Sequence, residues 1–368
     1  MTKRILKLVC PVDDSARVAR IVGAADKPNL REVVTTLEFD EPPTPDEPWS
    51  IGLIVGASGS GKSTVAQTYF GAALYAPTQW SKTRAVVDEF DRRAFEELAA
   101  AFAAVGFASQ THWLRPYRTL SAGERFRCDL CKALLDAPGA LVAIDEFASL
   151  VDETTAKTAS IALRNAFDRG AFDKKLVAIT HRRDVAQWLE PDWTLDMETG
   201  TLTRGRLRRR EIVVDVRRAP DALWRDFAPF HYLTGSLNRS ARCYAATLDG
   251  DPIAFAAIMQ SEGRRGRRRV HRLVVNPTWQ GIGVGGGFVD ALGALEEERG
   301  YVLEIVTGSA PFIRRLERSE HWKLVRAYPH GRTQRHKGKE AKGSFGRAIV
   351  SFEYRRSRSN KENEDERF

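Results

Sequence analysis

Two glycine-rich segments of this chain have the residue types and the spacing that bind phosphate. The first is GASGSGKST at 56–64, and the second is QGIGVG at 280–285. Each follows an apolar run and precedes a run with helical periodicity. Amides in a turn between a strand and a helix can point at phosphate oxygens, and the helix N-terminus adds partial positive charge. We therefore expect two separate phosphate sites.

The first segment fits the GxxxxGK[ST] pattern of a nucleotide-binding loop. Lys62 would hold the β and γ phosphates, and Ser63 would bind Mg²⁺. The apolar strand ALVAIDEF at 140–147 ends in Asp145, a second Mg²⁺ ligand, and in Glu146, which would orient or deprotonate a water. The residues expected to bind the nucleotide are Gly56, Ser58, Gly59, Gly61, Lys62, Ser63 and Thr64. This pattern indicates hydrolysis of ATP with Mg²⁺.

Further motifs follow this loop in a fixed order: LSAGE at 120–124, SLVD at 149–152 and THR at 180–182. Together they resemble the signature, the D-loop and the switch histidine of ABC-type ATPases. The resemblance implies a head-to-tail homodimer in which Ser121 and Gly123 face the γ-phosphate of ATP on the partner copy, with His181 as the switch histidine. The stretch between the loop and the signature is short, and Glu124 replaces the family's glutamine, so coupling to a transporter is not expected.

The second segment lies in RRVHRLVVNPTWQGIGVGGGFVDALG at 268–293, which resembles the acyl-CoA-binding motif of GNAT acetyltransferases. Gln280, Gly281, Gly283 and Gly285 match the Q/R-x-x-G-x-G/A pattern of that motif. The resemblance implies acetyl-CoA, or another acyl donor, as cofactor. A glycine-rich helix start that only packs closely is the alternative.

Catalytic residues for acyl transfer are harder to assign, because the strand VHRLVVN lacks the glutamate that many GNAT enzymes use as base. The segment PFHYLTG at 229–235 offers His231 as a base and Tyr232 as an acid for a leaving thiolate. His271, Glu304 and Ser309 are weaker candidates.

The order of the motifs over residues 10–357 resembles a family of ABC-type ATPases fused to an acetyltransferase domain. The C-terminal half is also similar to Mom-type DNA-modifying acyltransferases, through the HY pair followed by the acyl-CoA-type loop. We therefore predict an α/β fold with a P-loop ABC-type ATPase domain at 1–205, a GNAT-like α/β acyltransferase domain at 206–357 and a disordered tail at 358–368. Within the second domain, Asp249-Gly250 predicts a hairpin turn and PFIRRLERSEHW at 311–322 predicts a helix.

Charge indicates the class of partner. The net charge is +9 and the pI is about 9.5, which favours polyanions. Basic residues cluster around the second segment, with aromatic residues between them, a pattern that binds nucleic acid through phosphates and base stacking. They include Arg264, Arg265, Arg267, Arg268, Arg269, Arg272, Arg332, Arg335, Lys337, Lys339, Lys342, Arg355, Arg356 and Arg358.

We therefore expect a nucleic-acid partner, DNA or RNA, with a base amine as acyl acceptor. A solvated basic face is the alternative at the level of structure. At the level of function the alternatives are a small-molecule or protein N-acetyltransferase, or an ABC ATPase of DNA maintenance with a non-catalytic GNAT module.

Hydropathy and cysteine content indicate a cytoplasmic protein without a membrane partner. No apolar run approaches the roughly 20 residues that cross a bilayer, and the N-terminal apolar run is too short for a secretory signal. The chain has 4 cysteines, too few for a disulfide framework. Cys128 and Cys131 form a CxxC pair on an apparent helix, for which we expect helix packing, with redox or metal binding as the alternative.

Overall fold

The structure is a computed structural model that describes residues 3–11, 15–24, 32–77, 79–90, 93–206, 212–231, 236–328 and 349–355. The chain forms two compact units that alternate along the sequence. The first unit comprises Met1–Pro77, Lys132–Leu150 and Phe172–Arg209, and the second comprises Thr78–Cys131, Val151–Ala171 and Arg210–Phe368. The domain boundaries proposed above, at residues 205 and 357, stay a prediction.

Strands and helices alternate through much of the chain. The strands are β1 (Lys3–Pro11), β2 (Glu32–Asp40), β3 (Ile51–Val55), β4 (Leu141–Ile144), β5 (Lys175–Thr180), β6 (Trp193–Asp196), β7 (Thr201–Arg204), β8 (Asp215–Arg218), β9 (Arg242–Leu248), β10 (Asp251–Gln260), β11 (Arg267–Val275), β12 (Val302–Thr307), β13 (Trp322–Tyr328) and β14 (Ile349–Tyr354). The α-helices are α1 (Ala16–Ala24), α2 (Lys62–Phe70), α3 (Phe95–Ala104), α4 (Gln110–Trp113), α5 (Ala122–Asp136), α6 (Glu153–Asp168), α7 (Val185–Leu189), α8 (Trp224–Phe227), α9 (Val284–Glu298) and α10 (Ala310–Glu317). Short 3₁₀ turns cover Gly71–Ala73, Val86–Phe90, Tyr117–Thr119, Asp221–Leu223, Ala228–Phe230 and Pro277–Trp279.

The first unit contains a sheet in the order β4-β5-β3-β6-β7 and a separate antiparallel pair, β1 and β2. Strands β4, β5, β3 and β6 run parallel, and β7 is antiparallel to β6. All residues of β3 are buried, as expected for a central strand covered on both faces. Parallel strands end at one edge of a sheet, so the residues after β3, β4 and β5 lie at a common edge, where α/β proteins bind ligands.

Gly52 shows how closely the central strand of this sheet packs. A Cβ at Gly52 would lie 2.1 Å from Cζ2 of Trp193, a fully buried side chain of β6. The indole of Trp193 therefore occupies the space that any side chain at position 52 would need. It also contacts Trp49 and Phe70, which completes the aromatic part of this core.

The second unit contains a sheet in the order β13-β14-β12-β11-β10-β9-β8. Only the pair β11 and β12 is parallel among the described strands of this sheet. Helix α9 covers one face, where Phe288, Val289 and Leu292 pack with Leu303 and Phe352 of the strands. The α/β fold class predicted from the sequence is confirmed.

Local predictions are confirmed at the hairpin and wrong at the end of α10. Asp249 and Gly250 have φ values of 51° and 92° between β9 and β10, as a two-residue hairpin turn requires. The helix expected through Trp322 instead ends at Glu317. Trp322 begins β13, because its backbone pairs with Tyr354 of β14 and its indole Nε1 donates to Asp290 Oδ1 at 2.7 Å.

The CxxC cysteines lie buried on α5, as expected for helix packing. Burial raises the pKa of the Cys128 thiol, which disfavours the thiolate that redox or metal chemistry needs. In the described parts of the chain, the helices are too short or too polar to span a bilayer.

Candidate functional site

The first candidate site is the turn between β3 and α2. Gly59 and Gly61 have φ values of 80° and 89°, a conformation that side chains rarely adopt. A Cβ at Gly61 would lie 2.5 Å from Leu37 Cδ1, whereas a Cβ at Gly59 would meet no atom within 4 Å. The turn is therefore closed toward the protein at Gly61 and open at Gly59. An open glycine turn at a helix N-terminus fits a phosphate chain.

Polar side chains of the same turn fit a nucleotide with a metal ion. Lys62 is only 7% exposed, and its Nζ donates to Ala57 O at 2.7 Å. The ammonium group is thus held inside the turn by a carbonyl of the turn itself. The Ser60 hydroxyl is buried without a hydrogen-bond partner, and Ser63 is exposed on the first turn of α2. Ser58 is exposed and Thr64 is half-buried.

The acidic pair follows β4 at the same sheet edge. Asp145 and Glu146 are both exposed, and Asp145 Oδ1 accepts the Glu146 N–H at 2.8 Å. Glu146 has a φ of 52°, an uncommon conformation for a residue other than glycine. Strain of this kind is concentrated at functional sites, because the surrounding structure must enforce it.

His181, directly after β5, lies beside this pair. Its Nδ1 is 3.7 Å from Glu146 Oε2 and 3.3 Å from Ser149 Oγ. The structure therefore brings together the predicted water-activating glutamate and the predicted switch histidine. Ser149 was not predicted as a site residue, although it opens the SLVD motif that the sequence singled out.

Ser121 and Gly123, the predicted contacts to a partner's ATP, lie in the second unit at the start of α5. Ser121 and Glu124 form a capping box: Ser121 N–H donates to Glu124 Oε2 at 2.9 Å, and Glu124 N–H donates to Ser121 Oγ at 3.3 Å. A Cβ at Gly123 would lie 2.9 Å from Thr155 Cγ2 of α6. A larger residue at position 123 would therefore collide with Thr155, so packing within the chain already requires glycine there.

Glu124 also pairs with His112, which sequence analysis missed because His112 has no motif around it. Burial opposes ionisation of Glu124, but hydrogen bonds from His112 and from the Ser121 N–H outweigh it and lower its pKa to about 2. Glu124 thus holds the turn at the start of α5 in its ionised form.

The second candidate site is the turn between β11 and α9. Gly281 and Gly283 have φ values of 84° and 97°, and Gly283 directly precedes α9. A Cβ at Gly283 would meet no atom within 4 Å, whereas a Cβ at Gly285 would lie 3.1 Å from Val275 Cγ2. The turn is therefore open at Gly283 and fits a pyrophosphate at the helix N-terminus.

Gln280 and Gly281 are engaged by the protein itself. Gln280 Oε1 accepts the Ala108 N–H at 3.2 Å, and its Nε2 donates to Val275 O at 3.0 Å. A Cβ at Gly281 would lie 2.7 Å from Gly106 Cα. Gln280 and Gly281, which the sequence predicts to bind the acyl donor, therefore also have a structural role.

The strands below this turn separate as they approach it. Strands β11 and β12 pair at Arg267 with Val302, Arg268 with Leu303 and Arg269 with Glu304, and the ladder ends there. Both strands are described to their ends, and β11 continues to Val275. The opening between them lies next to the turn, a place for an extended ligand to enter the sheet.

A β-bulge on β11 places His271 in this stretch. Ala257 pairs with Arg272 and Ile258 with Val270, so His271 is the extra residue. Its Nε2 is buried without a hydrogen-bond partner. Burial, then the charges of Arg272 and Arg269, lower the pKa of His271 below its ordinary value of 6.5. The imidazole is therefore neutral at pH 7 with a nitrogen able to accept a proton.

The other catalytic candidates differ in their surroundings. His231 is half-buried, with its ring 5.6 Å from Trp224 in an edge-to-face contact. Tyr232 lies outside the described residues, so the predicted His-Tyr pair stays a prediction. Burial opposes ionisation of Glu304, but hydrogen bonds from Arg267, and from Ser261 and Arg264 at 2.9 Å each, outweigh it and lower its pKa. Such a carboxylate is a poor base.

The basic cluster at 264–272 is largely neutralised within the protein. Its members donate to carboxylates or carbonyls as follows: Arg264 to Glu304, Arg267 to Glu304 and Glu353, Arg268 to Glu296, Arg269 to Glu262, and Arg272 to Ser236 O. Arg268 also stacks 3.6 Å above the Tyr301 ring. These arginines hold β11 to its neighbours, which sequence composition could not reveal. Arg332, Arg335, Lys337, Lys339, Lys342, Arg356 and Arg358 lie outside the described residues.

Solved structures that are similar to parts of the chain include three described below. An IAA acetyltransferase from Bacillus cereus ATCC 14579 has 16% identity, with 38% of this chain and 98% of that chain covered and a TM-score of 0.29. A GNAT family acetyltransferase from Elizabethkingia anophelis with acetyl-CoA bound has 13% identity, 38% and 96% coverage and a TM-score of 0.29. A dimeric bacterial ABC transporter cassette has 15% identity, 50% and 94% coverage and a TM-score of 0.35.

Sequence comparison gives one family. No curated protein matches the chain. The family model described as Acetyltransferase (GNAT) family matches residues 203–315, a range that includes the bulge at His271 and the turn at 280–285. The C-terminal part of the chain therefore carries a GNAT-like acetyltransferase domain.

Proposed function

We propose that the chain is a CoA-dependent N-acyltransferase that also binds and hydrolyses ATP. The observation that carries the acyl-transfer proposal is the open turn at Gly283, at the N-terminus of α9 and inside the segment that matches the GNAT model. The backbone amides of Gly281, Gly283 and Gly285 would hold the pyrophosphate. A bound acyl-CoA supplies the acyl group as an activated thioester.

His271 is the residue that best fits the role of base in this proposal. Acylation of an amine forms a C–N bond, breaks the C–S bond and requires the amine to lose a proton. The buried Nε2 of a neutral imidazole can accept that proton. His231, the first choice from sequence, has its ring against Trp224 and keeps the role of alternative.

For ATP, different residues of the first unit would bind the phosphates, bind Mg²⁺ and activate the water. The turn amides and Lys62 would hold the phosphates, and Ser63 with Asp145 would hold Mg²⁺. Glu146 would position or deprotonate the attacking water, with His181 beside it at 3.7 Å. Ser121 and Gly123 would complete the site of a second copy in a head-to-tail homodimer, as the signature motif implies.

A nucleic-acid base amine is the acceptor that we propose, with DNA and RNA both open. The net charge of +9 supports a polyanionic substrate. The paired arginines at 264–272 do not support it, because their charges are already neutralised. An amine on a small molecule or a protein is the alternative acceptor.

Mass spectrometry of nucleosides tests the acceptor. Cells that express the active protein should contain a base with the mass of an added acyl group, absent from cells that express His271→Gln. Identical nucleoside profiles, together with acetylation of a free amine metabolite in vitro, would favour the alternative acceptor.

Thermal unfolding with CoA tests the donor. A ligand at about 100 times its Kd stabilises a protein by about 2.7 kcal/mol. CoA and acetyl-CoA should therefore raise the Tm of the full-length chain in a concentration-dependent way, and adenosine alone should not. A Tm that is the same with and without CoA would indicate an ATPase whose GNAT-like domain does not bind acyl-CoA.

A further inference from the structure

A buried arginine joins the signature helix to the acyl-donor turn. Arg127 of α5 is 3% exposed and is a residue of the second unit, as is the turn. Its Nη1 donates to Val105 O at 3.0 Å. Its Nη2 donates to Thr158 Oγ1 at 2.7 Å and to Thr278 O at 3.0 Å. One guanidinium therefore holds the end of α3, helix α6 and the segment that leads into Gln280.

Backbone contacts close the same junction. Gly106 follows α3 with a φ of 79°, and a Cβ there would lie 2.8 Å from Gln280 O and 2.0 Å from Arg127 Nη1. A Cβ at Gly281 would in turn lie 2.7 Å from Gly106 Cα and 2.9 Å from Ala162 Cβ. Two glycines thus let the donor turn touch the backbone of the α3–α4 segment directly. Contacts this close leave little freedom for the turn to move by itself.

The side chain of Gln280 adds a third link. It connects Ala108 N–H of the α3–α4 segment to Val275 O at the end of β11. Gln280, which the sequence predicts to lie next to the pyrophosphate, therefore also fixes the position of the turn.

The signature motif borders the same junction. Ser121, Gly123 and Glu124 line a cavity of about 270 Å³ together with Thr278 and Gln280. Arg127 follows Ser121 by less than two turns of one helix. The signature turn and the donor turn are therefore two ends of a single packed body.

We propose that Arg127 is a positioning residue for the acyl-donor turn, and that through it ATP held against the signature motif by a second copy tightens CoA binding. This rests on the proposed function. A second copy whose ATP contacts Ser121 would fix the position of α5. Arg127 and the close contacts of Gly106 and Gly281 would then hold the amides of the donor turn in place. CoA would bind a turn that is already ordered and would lose less conformational entropy. Linkage requires that CoA strengthen ATP-dependent pairing by the same factor.

Calorimetric titration of CoA tests the proposal in a Glu146→Gln background, where ATP is not consumed. With Mg²⁺-ATP the Kd for CoA should fall by about fivefold or more, the lower end of typical coupling. In Arg127→Met the Kd should be the same with and without ATP, while light scattering still shows an ATP-dependent dimer. Arg127→Lys, which keeps the charge and fewer donors, should restore part of the effect. Arg125→Met is the matched control, because Arg125 is exposed on the same helix.

A purely structural role for Arg127 would change the CoA affinity equally with and without ATP. Should Arg127→Met fail to fold, Gln280→Ala removes the link to Ala108 with less burial at stake, and it should also reduce the effect of ATP. A CoA affinity that ATP leaves unchanged or weakens, in a Glu146→Gln protein that forms dimers and binds CoA, overturns the proposal. No CoA binding in either state refutes the proposed function itself.

Discussion

At the scale of single residues, the residues proposed to bind ATP all belong to sequence motifs, whereas those proposed for acyl transfer do so only in part. Lys62, Asp145, Glu146 and His181 belong to sequence motifs, and the structure places the last two 3.7 Å apart. His271 belongs to no motif. Its interest comes from a bulge and an unpartnered buried nitrogen, which depend on strand pairing and cannot be seen in the sequence.

Glu146→Gln should abolish hydrolysis while leaving ATP bound. Loss of a general base costs about 100-fold or more in rate, and the amide is nearly the same size as the carboxylate. The variant should therefore accumulate as an ATP-dependent dimer in light scattering. Glu153→Gln, an exposed carboxylate at the start of α6, is the control and should hydrolyse ATP normally. Normal turnover in Glu146→Gln would remove Glu146 from the mechanism.

His271→Gln should lower acyl transfer by about 100-fold or more with little change in CoA affinity. The base acts when neutral, and its pKa is lowered below 6.5, so the rate should fall only as the pH drops through that lower value. Thiol release from acetyl-CoA with nucleic acid as acceptor, followed against pH, measures this. His321→Gln is the control, since His321 stacks on Tyr354 of β14 and belongs to neither β11 nor the turn at 280–285. An NMR titration that places the pKa of His271 at 6.5 or above would contradict the assignment.

At the scale of elements, local signals succeeded and long-range pairing did not. The Asp249-Gly250 turn and the Ser121–Glu124 capping box are complete within a few residues, so sequence suffices for both. Strand β13 was missed, because it is a strand only through pairing with β14. The contact of Arg127 with Thr278 spans 151 positions of sequence, which no local pattern encodes.

The capping box gives α5 a defined pH dependence. The pKa of Glu124 is lowered from 4.5 to about 2 in the folded protein, so the folded state is favoured by its ionisation above the unfolded value. That stabilisation should be complete above about pH 5 and should disappear as the pH falls from 4.5 toward 2. Urea unfolding at a series of pH values measures it. In Glu124→Gln the free energy of unfolding should fall less steeply at acid pH. The same acid dependence in the variant would show that other carboxylates control it.

At the scale of the whole molecule, the pairing of charges could not be predicted from the sequence. The arginines at 264–272 suggested a nucleic-acid surface, yet Arg267 and Arg268 bind carboxylates of the same unit. A count of charges cannot show which are already paired. The order of motifs along the chain was more informative, because the segment that matches the GNAT model, 203–315, includes the glycine-rich turn at 280–285.

The central claim is that the turn at Gly283 binds an acyl-CoA, and titration calorimetry with CoA tests it most directly. Gly283→Ala and Gly263→Ala form a matched pair, since both glycines have positive φ, 97° and 68°, and a Cβ at either meets no protein atom within 4 Å. Both variants place a Cβ on a backbone with positive φ, and only Gly283 lies in the proposed cradle. The wild-type chain should bind CoA with saturation, Gly263→Ala should match it, and Gly283→Ala should bind at least about tenfold more weakly, because its Cβ would take the open space proposed for the pyrophosphate and keep a phosphate from the turn amides. A wild-type chain that does not bind CoA, or two variants with equal affinity, would contradict the claim.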